Sequence, residues 1–100
     1  MPSSHAVVPT ANASRYLQQL CKHWAHKFPV EFTPEQGSID LPAGRTSLRA
    51  GESSLAIVID APDPAAIERL EGVVADHIRR FAFREELAFA WRRAGMDEQP

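Results

Sequence analysis

Leu55-Ala56-Ile57-Val58-Ile59-Asp60-Ala61-Pro62-Asp63-Pro64 is the stretch on which the fold turns. Its first five residues are apolar on both alternating faces and rich in β-branched side chains, as suits a central strand. Asp63-Pro64 then opens a helix. The aspartate oxygen caps a backbone N–H, and the fixed φ of proline fits the first helical position. Downstream, Ile67, Leu70, Val74, Ile78 and Phe81 recur at spacings of three and four and make one apolar stripe.

Upstream the chain alternates with period two, broken by turns. Gly51-Glu52-Ser53 is a turn, and before it Thr46, Leu48 and Ala50 face one way while Arg45, Ser47 and Arg49 face the other. Pro42-Ala43-Gly44 turns the chain again behind Ile39 and Leu41. Pro34-Glu35-Gln36-Gly37 is a further turn, in which Gly37 is available for a positive φ, and Val30-Glu31-Phe32-Thr33 precedes it. Four short strands joined by tight turns predict an antiparallel meander.

Nearer the start, Thr10, Asn12 and Ser14 offer capping oxygens for a helix running to about Lys27, where Pro29 stops it. Leu17, Leu20, Cys21, Trp24 and Phe28 form its apolar stripe. Ala6 to Val8 reads as an edge strand. Leu87, Phe89 and Trp91, alternating with Ala88 and Ala90, read as a final strand with a frayed tail after Arg93.

Two amphipathic helices must bury their stripes, and a meander with one apolar face receives both. The expected fold is α+β, a two-layer sandwich: a mostly antiparallel sheet of four to six strands with two helices on one face, in the order β-α-β-β-β-β-α-β. Residues 1–100 are expected to form a single domain with an ordered core of about 6–93 and flexible ends at 1–4 and 95–100.

Eleven basic and thirteen acidic side chains leave a formal charge of −2, so no global basic field draws in nucleic acid. The lone Cys21 has no bridging partner. The N-terminus lacks the basic and apolar regions of a signal peptide, and no apolar run is long enough to span a bilayer. The expectation is a cytoplasmic protein with a reduced thiol, no nucleic acid and no membrane.

Candidate chemistry is sparse. His23 and His26, three residues apart on the first helix, are the candidate metal ligands, for iron or zinc. They need a third ligand, from His77 or a carboxylate, and the plainer reading leaves them solvated. His77 itself reads as a partly buried histidine with one hydrogen bond. Cys21 lies in the apolar stripe, where burial disfavours the thiolate. Arg79, Arg80, Arg84, Arg92 and Arg93 bias the last third basic around Phe83, but Glu85, Glu86, Asp97 and Glu98 offset them.

The second face of the sheet offers an interaction surface. If Leu55, Ile57 and Ile59 pack on the helices, Ala56 and Val58 point outward. Ala88 and Ala90 would join them, rimmed by Arg45, Arg49, Arg92, Asp40 and Glu31. Apolar centres with polar rims suit a homodimer or a protein partner.

Leu20-Cys21-Lys22-His23-Trp24-Ala25-His26-Lys27-Phe28, Phe81-Ala82-Phe83-Arg84-Glu85 and Trp91 carry a resemblance. On these segments the chain resembles a family of small bacterial proteins known as domain of unknown function 2218, from about Ala6 to Arg93. The resemblance implies a compact α+β domain of TATA-binding-protein-like or phosphohexomutase C-terminal topology. It also implies a gene context beside siderophore and iron-uptake proteins. It implies no activity.

Three functions follow as expectations. The first is a non-enzymatic accessory or interaction module acting through the open sheet face. The second is a metal- or siderophore-linked protein of iron handling that uses His23 and His26. The third is a small-molecule enzyme of unknown reaction. No cofactor beyond the iron or zinc ion is indicated.

Overall fold

An apolar strand such as Leu55–Ile59 satisfies the N–H and C=O groups on both its edges only with a strand on either side. The sheet is built around that requirement. The computed structural model describes residues 2–94. In chain order the elements are β1 Ser3–Pro9, α1 Ala13–Trp24, β2 Val30–Phe32, β3 Gln36–Leu41, β4 Gly44–Ala50, β5 Ser54–Asp60, α2 Pro64–Phe81 and β6 Arg92–Ala94. The six strands form one sheet in the order β2-β3-β4-β5-β1-β6, with every neighbouring pair antiparallel. This is the expected α+β sandwich, with both helices on one face.

The strand Ser54–Asp60 lies between β4 and β1. The first strand is therefore no edge. It pairs along its whole length with β5, from Ser3 opposite Asp60 to Pro9 opposite Ser54, and its other side carries β6. Ser3 and Ser4, expected within a flexible end, are paired strand residues.

The core lies between the helices and the sheet. Tyr16, Leu17, Leu20, Cys21 and Trp24 of α1 and Ile67, Leu70, Val74 and Ile78 of α2 are buried against Ala6, Val8, Ile39, Leu48, Leu55, Ile57 and Ile59. Asp63 caps α2 by accepting a hydrogen bond from the Ala66 N–H at 2.8 Å. The cap of α1 differs from expectation. Asn12 holds the position without a side-chain cap, and Ser14 instead donates to the Pro34 carbonyl at 2.6 Å.

Gly37 belongs to β3, not to a positive-φ turn. A Cβ there would stand 2.8 Å from the Cys21 sulfur and 3.0 Å from Cβ of Phe32, so its missing side chain lets α1 approach the sheet. The turn before it rests on Thr33, whose hydroxyl oxygen accepts from the N–H groups of Glu35 and Gln36 at 3.2 Å each.

The last strand is corrected. Residues 82–91 are irregular, and the strand is the short Arg92–Ala94. The alternation over Leu87, Phe89 and Trp91 has a different cause. Leu87 turns into the core, while Phe89 and Trp91 stack with centroids 6.1 Å apart and the Arg79 guanidinium lies 4.8 Å from the Phe89 ring. Ala88 and Ala90 are consequently exposed on a connector and take no part in the sheet face. The expected tail at 95–100 lies outside the described residues.

Candidate interaction face

Strand register decides which side chains share the uncovered face. Across the sheet from β2 to β6, one outward row reads Glu31, Ser38, Ser47, Val58, His5 and Arg92. A second row reads Gln36, Arg49, Ala56 and Val7, and a third reads Asp40, Arg45, Asp60, Ser3 and Ala94. Ala56 and Val58 thus stand on the open side, with Arg45, Arg49 and Arg92 around them. The place expected of Ala88 and Ala90 is taken by Val7, a large apolar side chain that is 64% exposed. Its position in an Ala6–Val8 strand was readable, but the neighbour of that strand was not.

This face is not flat. Ser38, Ser47 and Ala56 give a low floor, and with Glu31, Arg49, Val58 and the backbone of Gly37 they bound an open depression of about 570 Å³. Arg45 bonds Asp40 across the strands at 3.1 Å, both side chains more than half exposed. Small side chains at the centre, polar Ser38 and Ser47 beside apolar Ala56 and Val58, and charges of both signs at the rim give a surface suited to another protein.

The helix side holds two polar clusters that shape the edge beyond β1. Glu71 occupies the buried stripe of α2, where it accepts from the Ser4 hydroxyl at 2.6 Å and from Arg93 through Nε at 2.9 Å and Nη2 at 2.6 Å. Burial pushes its carboxyl up, but the bonds from Arg93 and Ser4 and the arginine charge outweigh this and hold it below the ordinary carboxylate value. Glu85 meets the start of α1, accepting from Tyr16, from Asn12 at 2.9 Å and from the Thr10 hydroxyl at 3.1 Å. The bonds from Tyr16 and Asn12, joined by that from Thr10, lower its carboxyl against the opposing effect of burial. Burial and then Glu85 raise the Tyr16 phenol.

The arginines of the last third are dispersed. Arg79 lies by Phe89, Arg84 stands 5.4 Å from the ring of exposed Phe83, Arg93 binds Glu71 on the helix side and Arg92 faces the open side. Arg79 also takes the Asp76 carboxylate at 3.7 Å. Cys21 is fully buried, and burial pushes its thiol up to about 11, far from a nucleophilic thiolate.

The histidines assemble differently from their sequence spacing. The last residue of α1 is Trp24, so His26 falls in the following turn, exposed. His23 instead meets His77 across the helix pair, with ring centroids 5.2 Å apart. Trp24 lies 4.9 Å from His77, and Phe81 lies 6.1 Å from His23. No three His, Cys, Asp or Glu groups among the described residues gather as a metal cluster.

Comparison with known proteins agrees with this fold. Residues 5–92 match the family described as an uncharacterized protein conserved in bacteria, DUF2218. The chain belongs to DUF2218. The NMR structure of PA4090 from Pseudomonas aeruginosa is similar to this DUF2218 chain at 41% identity, with a TM-score of 0.79 over 92% of this chain and 96% of that one. Among curated proteins none matches. No helix of the described residues in this DUF2218 chain is long and apolar enough to cross a membrane.

Proposed function

We propose that this DUF2218 chain is a non-catalytic interaction module whose open sheet face pairs with a second copy of itself. The order of charges along the rows carries this reading. One row has acid at the β2 end (Glu31), Val58 near its middle and base at the β6 end (Arg92). A two-fold axis parallel to the strands reverses that row on the facing copy, as an isologous contact requires. Glu31 then meets Arg92 of the second copy, and Arg45 meets its Asp60. Val7 of each copy comes to rest on the exposed Gln36 side chain of β3 in the other, beside the depression.

Six strands span about 24 Å at the usual inter-strand spacing. A face of this width lies toward the lower end of stable interfaces, so association is expected in the micromolar range. Sedimentation equilibrium from micromolar to millimolar concentration tests it. The expected result is a reversible dimer, weakened by Glu31→Arg or by Arg92→Glu and restored in the double charge swap. A strict monomer throughout, or single variants that the double swap fails to rescue, would overturn the pairing.

A further inference from the structure

We infer that His23 and His77 form a two-imidazole site for a late divalent transition metal ion, bridging α1 and α2 on the side of the molecule away from the open sheet face. The tautomer of His77 is already that of a ligand. Its Nδ1 lies 2.7 Å from the Val73 carbonyl oxygen. A carbonyl only accepts, so Nδ1 carries the proton and donates it, leaving the Nε2 lone pair available. Metal-bound histidines are held in this way, with the second ring nitrogen donating to a backbone carbonyl that fixes tautomer and ring direction.

The separation of the two rings leaves room for one shared ion between them. With metal–nitrogen bonds of about 2.0–2.1 Å, the ion stands about 3.2 Å from each ring centre, and a tetrahedral angle separates the centres by about 5.2 Å. The observed separation is 5.2 Å. Exposed His23 makes no hydrogen bond to the described residues, so an adjustment of its ring toward an ion breaks none. Trp24 and Phe81 wall the pair. Water completes the coordination, which places the ion at an open, exchangeable site. Imidazole donors favour copper, nickel and zinc. His26, beyond the end of α1, is outside the site.

Titrating zinc and nickel chloride into the full chain, with calorimetry and thermal melting, tests the assignment. The expected result is one ion per chain and a raised melting temperature, both unaffected by His26→Ala. His23→Ala and His77→Ala should each weaken binding by about tenfold or more. In a Trp91→Phe background, nickel should quench Trp24 with the same dependence on the two histidines. Absence of saturable binding overturns the site, as does binding that survives His23→Ala. That variant, at an exposed position, decides the question even if His77→Ala fails to fold.

Discussion

Thr46 stands on the helix side of β4, opposite Ile39 on one strand and Ile59 on the other, fully buried. Its hydroxyl finds no hydrogen-bond partner among the described residues. A buried hydroxyl without a partner forfeits its water bonds and gains nothing in return. Thr46→Val exchanges that hydroxyl for a methyl of similar size and keeps the β-branched shape. Stability should rise by about 1 kcal/mol, read as a higher urea midpoint at unchanged slope. A lower midpoint would show that the hydroxyl is satisfied after all. The alternation of Thr46 with Leu48 and Ala50 announced its inward direction, yet a period-two pattern says nothing about acceptors across the core. Glu71 was not singled out from the sequence, although a signal for it was there. It lies four residues after Ile67 and three before Val74, so a glutamate on the apolar stripe was visible in the spacing, and only its partners Ser4 and Arg93 required the fold.

At the scale of elements, Glu71 ties three of them together. It sits on α2, takes a hydroxyl from β1 and grips the guanidinium of β6 with both oxygens. The three-residue strand β6 has few other means of attachment, because its residues are exposed. The sequence misplaced this strand for a physical reason. An apolar alternation marks burial, and Leu87, Phe89 and Trp91 are held by the core and by Arg79 without pairing. The strand that does form is polar, and its anchor is an ion pair with a residue 22 positions away. The pH dependence follows from the lowered Glu71 carboxyl. A group whose folded value lies below its unfolded value adds stability that is complete above the unfolded value and is lost as pH falls through the folded one. Melting temperature should therefore fall between about pH 5 and about pH 3, the range just around and below the ordinary glutamate value. Glu85 is lowered in the same direction and contributes to the same decline. Glu71→Gln should flatten the Glu71 share of that slope and speed amide exchange in β6 at neutral pH. An unchanged acid slope together with unchanged exchange would detach Glu71 from the anchoring of this edge.

For the whole molecule, the division of the sheet into a covered and an uncovered side separates stability from association, and β5 carries both on adjacent residues. Its helix side presents Ile57, fully buried in the core; its open side presents Val58, beside Ser47 and His5. The two helical stripes and the two-sided apolar strand made this layering legible, whereas the outward neighbours of Val58 depended on β1 entering the sheet beside β5. Ile57→Ala removes buried methyl groups and leaves a cavity, so it should cost about 2–5 kcal/mol of stability. Val58→Thr retains β-branching on a half-exposed face and should cost less than about 1 kcal/mol. Val58→Glu, by contrast, places like charges near the two-fold axis of the proposed pair. It should abolish self-association while the dilute chain still unfolds cooperatively with a dichroism spectrum like that of the parent. Chemical denaturation at low concentration and light scattering at high concentration separate the two effects. If Val58→Glu unfolds the dilute chain as severely as Ile57→Ala, the uncovered side is part of the stabilising core, and a fold that presents one free face to a second copy is untenable.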